Sequence, residues 1–170
     1  MRREILQDWA ANRGTPRIQV FLVFFRFAQL VRRRLGRRHP VAIAVALAYR
    51  ATCEGLVGCE IPVSVSAGPG LTIFHGYGLV VHQSSVLGAR VTLRHGVTVG
   101  NVGLDGRAPV LEDDVAVGVG ASILGDITVG AGASIGAHAL VLHDVPAGAS
   151  ARASEATIRV REESARSDPG

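Results

Sequence analysis

The 170 residues predict a mainly β chain built as a parallel solenoid with a helical segment in front of it. Two observations carry that reading. Aliphatic residues recur every six positions, at Val81, Leu87, Leu93, Val99, Leu111, Val117, Ile123, Val129, Ile135 and Val141, and only Asp105 breaks the run. Sixteen of the 21 glycines fall between Gly68 and Gly148, and those at 88, 100, 118, 130 and 136 directly follow a member of the aliphatic column. An amphipathic helix needs a period of about 3.6 and a plain strand one of about two, so neither produces this spacing. A second column two residues earlier, Val91, Val97, Val115, Ala121, Ile127, Ala133 and Ala139, is mostly small or β-branched. Each six-residue unit reads as a short strand and a turn, with an aliphatic side chain inward and glycine where the backbone bends. Three units make a triangular coil of about 18 residues, so 61–146 predict about five coils that bury one another.

The chain divides into a helical segment (1–60), the solenoid domain (61–158) and a polar tail (159–170). Thr15-Pro16 reads as an N-cap followed by proline in the first turn. An apolar stripe runs from Ile18 to Val31, and Gly36 ends the helix. A second helix over 41–56 is so rich in Ala, Val and Leu that it is expected to be sandwiched. Between Val99 and Leu111 the repeat keeps its phase but turns polar and glycine-rich, which predicts a loop leaving the solenoid. Ser154 to Val160 is expected to cap the last coil, and the tail beyond it to fray.

All 18 basic residues are arginine, and the net charge is +4. Residues 1–60 carry a balance of +7 and 61–170 one of −3. No nucleic-acid motif accompanies the basic part, so no nucleic-acid partner is expected. Arg32-Arg33-Arg34 and Arg37-Arg38 read first as a solvated helix end, and second as a peripheral contact with anionic lipid. Cys53 and Cys59 make no disulfide framework and lack zinc-site spacing, so a reducing cytoplasm is the default. The N-terminus has no signal-peptide core, and the Ile18–Val31 stretch, interrupted by Arg26 and Gln29, is too short to span a bilayer.

Several segments resemble a known family. The hexapeptide units are similar to those of left-handed β-helix acyltransferases. Phe74-His75-Gly76-Tyr77-Gly78-Leu79-Val80-Val81, Val97-Thr98-Val99-Gly100-Asn101 and Val117 to Ile127 resemble serine O-acetyltransferases. Asp8-Trp9-Ala10-Ala11-Asn12-Arg13-Gly14 resembles the shorter members of exopolysaccharide clusters, of colanic-acid type. The resemblance implies acetyl transfer from acetyl-CoA to a hydroxyl, without a metal, in homotrimers with active sites between subunits. It places the catalytic His at His75 and its carboxylate partner, fifteen residues upstream, at Glu60. Two departures bear on the acceptor. Phe74 stands where serine-synthesising members have Asp, and the loop reads Arg107-Ala108-Pro109 in place of Arg-His-Pro.

Acetyl transfer to an alcohol needs a base, oxyanion donors and two substrates held together. His75 suits the base, since an imidazole can exchange a proton near neutral pH, and it falls in phase with the inward column, flanked by glycines. Glu60, almost one coil earlier, would orient it. Arg107 suits a substrate carboxylate or a phosphate of CoA, and Phe74 lies beside the base. Gly100 and Asn101 are candidates for oxyanion or pantetheine contacts, as are Gly118, Gly120 and Ala121 for the pantetheine arm. His82 and His95 are read as facing solvent or a neighbouring subunit, without an assigned role, and His138 with His143 lack the third ligand of a metal site, so no metal is expected. The leading function is transfer to L-serine for cysteine synthesis. A sugar hydroxyl in exopolysaccharide is the alternative acceptor, and a non-catalytic trimeric scaffold the alternative of another class.

Overall fold

The computed structural model describes residues 2–103 and 106–157; the tail 159–170 and the end of the expected cap lie outside the described residues. Helices come first: α1 (Arg2–Ile5), α2 (Pro16–Leu35) and α3 (Pro40–Thr52), then a π-helical turn, Cys53–Val57. Pro16 and Pro40 sit in first turns, where the missing N–H is harmless and the ring presets φ. Thr15 precedes α2 as expected, but its hydroxyl donates to the Asn12 carbonyl (2.9 Å) and does not cap the helix. His39 does cap α3: its Nδ1 accepts from the Val41 N–H at 3.2 Å.

Phe21, Phe24 and Phe25 of α2 surround Tyr49 of α3, with ring centroids 5.7, 5.6 and 5.8 Å away. The Tyr49 hydroxyl reaches on to the first coil and donates to the Ile61 carbonyl at 2.8 Å. The expected sandwiching of this helix does not occur. Among α3 residues only Ala42 and Tyr49 are buried, while Val41, Ile43 and Leu47 are exposed. The helix covers the solenoid on one side only. Pro40–Val57, with mean hydropathy 1.3 and 22 % buried, is long and apolar enough to cross a membrane by length and composition alone, so Ile18–Val31 is not the longest apolar stretch.

The solenoid follows in coils of three short strands. They are β1 (Ser66–Ala67), β2 (Thr72–Phe74) and β3 (Val80–Val81); β4 (Val86–Leu87), β5 (Thr92–Arg94) and β6 (Thr98–Gly100); β7 (Val110–Leu111), β8 (Ala116–Val117) and β9 (Ser122–Leu124); β10 (Thr128–Val129), β11 (Ser134–Ile135) and β12 (Leu140–Val141); then β13 (Ser150–Ala151). Strands stack into three parallel faces ordered β1-β4-β7-β10, β2-β5-β8-β11-β13 and β3-β6-β9-β12. Both aliphatic columns line the interior, from Leu71 and Ile73 to Ala139 and Val141. The expected five coils become four and the start of another. Nine residues of sequence separate β6 from β7, where a loop is expected, and the first corner contains extra residues, so fewer turns fit in the same length.

The glycines that follow the inward column are not where the backbone bends into unusual φ. Gly88, Gly118 and Gly130 are required by close approach: a Cβ there would lie 2.5–2.6 Å from a backbone nitrogen of the next coil. The left-handed positions come two residues later and stack in columns, Gly70, Arg90, Asp114 and Gly132 at one corner and Gly78, Gly96, Gly120 and His138 at another. Non-glycine residues accept this conformation at a cost of ~1 kcal/mol or more each. Arg90 and Asp114 gain a bidentate ion pair across the coils (2.6 Å each), and that hydrogen bonding holds the Asp114 carboxyl below the usual carboxylate range.

A solenoid leaves unpaired backbone at its first coil. Here side chains of the helical segment fill that role. Asn12 donates to the Leu71 carbonyl (2.8 Å) and accepts from the Ile73 N–H (3.0 Å), while Asp8 accepts from the Leu71 N–H (2.9 Å). Arg26 donates to the Ala67 and Gly68 carbonyls (2.7 Å each), and Gln29 to that of Val65 (2.8 Å). The Asp8–Asn12 motif is thus a cap that imitates a missing strand.

Candidate active site

His75 sits at the corner after β2, where the chain takes five residues to reach β3, against three between β5 and β6. The extra length corrects the phase argument. Ile73, not His75, occupies the inward column, and His75 is thrown outward in the left-handed region at φ 70°. Gly76 and Gly78, at φ 74° and 66°, complete a bulge that only glycine follows without strain. The sequence places a titratable ring at an exposed, conformationally costly corner, a common mark of function.

The register Thr72↔Thr92, Ile73↔Leu93, Phe74↔Arg94 aligns the corner with the one below it. His95 thereby meets His75 edge to face, with ring centroids 5.7 Å apart and planes at 72°. One residue earlier, the Arg94 guanidinium lies 4.8 Å above the Phe74 ring. On the other side Arg17 stacks on Tyr77 at 4.6 Å and also bonds its hydroxyl and the Leu56 carbonyl, tying α2 to the bulge. The corner therefore presents two imidazoles, two guanidinium groups and two aromatic rings. Sequence reasoning left His95 at a corner facing solvent or a neighbouring subunit; the register of the lengthened first coil sets it beside His75.

Glu60 is held by its backbone opposite Val80: its N–H donates to the Leu79 carbonyl (2.7 Å) and its carbonyl accepts from the Val81 N–H (2.8 Å). Glu60 lines a cavity of about 450 Å³ between α3 and the first coil, together with Tyr49, Cys53 and Arg50. No hydrogen bond joins Glu60 to His75 among the described residues; the ring in contact with His75 is that of His95. Catalytic hydrogen bonds in a free enzyme are often long and close only around substrate.

The other expected residues lie elsewhere. Gly100 ends β6 opposite Leu124, and Asn101 Nδ2 donates to the Gly103 carbonyl at 2.8 Å. Arg107 bonds Asp126 at 2.6 Å, which links the loop to the corner after β9. These residues stand at the far end of the face that His75 and His95 precede. His75 and His95 stand at the corner before this face and Asn101 at the corner after it, so the two groups occupy different corners of the coil. Gly118 abuts the backbone of Ala137, and Gly120 carries the His138 ring directly over its α-carbon. The Ala121 methyl is fully buried in the inward column, and its carbonyl accepts from the Thr98 N–H at 2.9 Å. His82 is part-buried, with Nδ1 accepting from Ser84, and the described residues hold no group of three or more potential metal ligands.

No family model matches this chain. Individual relatives do. The Escherichia coli protein named for colanic acid biosynthesis, acetyltransferase WcaB, is 34 % identical over 160 residues, covering 92 % of this chain and 99 % of that one. The serine acetyltransferase of Helicobacter pylori is 42 % identical over 124 residues, covering 72 % of this chain and 71 % of that one. This chain belongs to the serine acetyltransferase family. The fold agrees: soybean serine acetyltransferase, solved with serine, superposes with a TM-score of 0.76 at 30 % identity, over 90 % of this chain and 67 % of that one. The solenoid is accordingly the left-handed β-helix of this family, and the protein is an acetyltransferase.

Proposed function

We propose that the protein transfers the acetyl group of acetyl-CoA to the hydroxyl of L-serine, with His75 as general base. The observation that carries this is the outward, left-handed His75 on its lengthened corner, in a chain of this family. His75 takes the hydroxyl proton as the oxygen attacks the thioester carbonyl. The tetrahedral oxyanion is held by donors, and the imidazolium then returns its proton to the departing CoA thiolate, so the base is regenerated without a covalent intermediate. Glu60 is the candidate to steady the imidazolium once substrate closes the corner. Gly100, Asn101, Gly118 and Gly120 are the candidates to face CoA, and Arg107 and Phe74 to face the acceptor.

A homotrimer completes this arrangement. His75 stands at one corner of a triangular prism and Asn101 and Arg107 at another, and neighbouring copies set one corner against the other. The cytoplasm, where acetyl-CoA is made and used, is the proposed place of action.

The Phe74–Arg94 stack supports a second acceptor, a sugar hydroxyl. A flat apolar ring backed by a cation suits a sugar face better than an ammonium group, and the WcaB relative spans the same length. CoA thiol release from acetyl-CoA with L-serine, in wild type and His75→Ala, tests the reading. Serine-dependent release lost by at least ~100-fold in the variant is expected. Release with a sugar acceptor but none with serine would transfer the conclusion to the second reading.

A further inference from the structure

We infer that Cys53 and Cys59 form an intramolecular dithiol that peroxide converts to a disulfide, with Cys53 as the attacking sulfur and Cys59 as the resolving one. The pair sits in the joint between helices and solenoid. Cys53 opens the π-turn, and Cys59 follows Gly58, which ends that turn at φ 70°. Both are buried, at 2 % and 4 % exposure, and their sulfurs lie 3.4 Å apart. A disulfide bond is ~2.05 Å long, so the sulfurs must close by ~1.4 Å. The segment between them is a single π-turn and one glycine, a short irregular stretch that can absorb such a shift more readily than a strand or an α-helix.

Two independent features distinguish the sulfurs. Cys53 lines the cavity of about 450 Å³ between α3 and the first coil, and Cys59 is not among its lining residues. A small polar oxidant entering there meets Cys53 first. The hydrogen bond from Cys59, helped by the Ile61 N–H, holds the Cys53 thiol below the usual thiol range against the opposing effect of burial. The same hydrogen bond, followed by burial, pushes the Cys59 thiol well up. Each attack is made by a thiolate, so Cys53 goes first; oxidation of Cys53 changes the hydrogen bond that raises Cys59, and Cys59 gives up its proton as it attacks.

The chemistry balances with one equivalent of hydrogen peroxide. The Cys53 thiolate displaces hydroxide from the O–O bond and becomes a sulfenic acid. The Cys59 sulfur then attacks that sulfur, and the S–O bond breaks as water leaves with the Cys59 proton. Two thiols are oxidised by two electrons, and the peroxide is reduced to two waters. Cys59 leads directly into Glu60, whose backbone is bonded to Leu79 and Val81 of the first coil, so closure strains the attachment of the joint to β3.

The test is intact mass and thiol count on the reduced full-length protein after peroxide, read under denaturing conditions. The expected result is a loss of about 2 Da and of both thiols, without covalent dimers, reversed by dithiothreitol. Cys59→Ser should stop at a sulfenic acid captured by dimedone, and Cys53→Ser should react at least ~10-fold more slowly. Because either substitution disturbs a buried joint, alkylation of reduced wild type is the companion measurement. Cys53 should be carboxamidomethylated at least ~10-fold ahead of Cys59, with a rate that rises with pH. Both thiols surviving peroxide that oxidises the unfolded chain, covalent dimers, or equal alkylation rates would overturn the inference. None of these readouts depends on the acceptor, so failure here is separable from failure of the proposed activity.

Discussion

Asp8→Ala should cost the fold ~4 kcal/mol, a large effect for a residue with no place in the repeat. Asp8 and Arg26 are 1 % and 4 % exposed, and their ion pair is bidentate, Nε to Oδ2 at 2.7 Å and Nη2 to Oδ1 at 3.1 Å. Removing one member of such a pair strands the other charge, at ~3–5 kcal/mol. The Leu71 N–H also loses its acceptor, worth ~1–3 kcal/mol alone, though the two penalties overlap because the site relaxes once. For a chain of this size ~4 kcal/mol corresponds to a fall in Tm of ~8–16 °C. Urea unfolding followed by circular dichroism measures the loss, at one fixed protein concentration because association would shift the midpoint. Hydrogen exchange gives the local readout: the Leu71 amide should speed up selectively, while the Leu111 amide in the middle of the solenoid should not. The double substitution Asp8→Leu, Arg26→Leu should cost less than the two single changes together by ~1–3 kcal/mol, since it leaves no unpaired charge. A cost below ~1 kcal/mol for Asp8→Ala, or strictly additive single changes, would refute the view that these side chains cap the solenoid.

Two further outcomes follow from the corners. Gly118→Ala should destabilise by ~2 kcal/mol or more, because its Cβ would meet the Ala137 backbone nitrogen at 2.6 Å, whereas Gly100→Ala, whose nearest neighbour is the Leu124 Cδ2 at 3.5 Å, should stay within ~1 kcal/mol of wild type; paired urea melts decide it, and equal costs would contradict the close-approach explanation. His95→Ala should lower kcat by ~2–12-fold with KM for acetyl-CoA unchanged, and His95→Phe should restore most of it, because the lost edge-to-face contact is worth ~0.5–1.5 kcal/mol; a phenylalanine no better than alanine would show that His95 does not position His75.

The parts of this protein that could be read from its sequence are those governed by burial. Val81 to Val141 announce the solenoid because an inward column must be apolar at every coil, and a repeated requirement leaves a repeated letter. The parts that could not be read are those governed by exceptions to the period. Counting back in sixes from Val81 puts His75 in the core, since a two-residue insertion at the first corner shifts the phase of everything before it; the structure seats Ile73 there and turns His75 outward. The same insertion sets the register that brings His95 to it, so the base, its neighbour and the misjudged phase have a single cause. The glycines show the converse. Gly88, Gly118 and Gly130 were legible as a column, but their reason was not: a close approach to the next coil and a left-handed turn call for the same residue, and only the distances separate them. The clamp of Asp8, Asn12 and Arg26 leaves no periodic trace, because each contact is made once, across 41 to 63 residues of chain. A repeat thus encodes its own interior and is silent about its ends, and in this chain the candidate catalytic ring, the cap and the cysteine joint all lie at the end where the repeat begins.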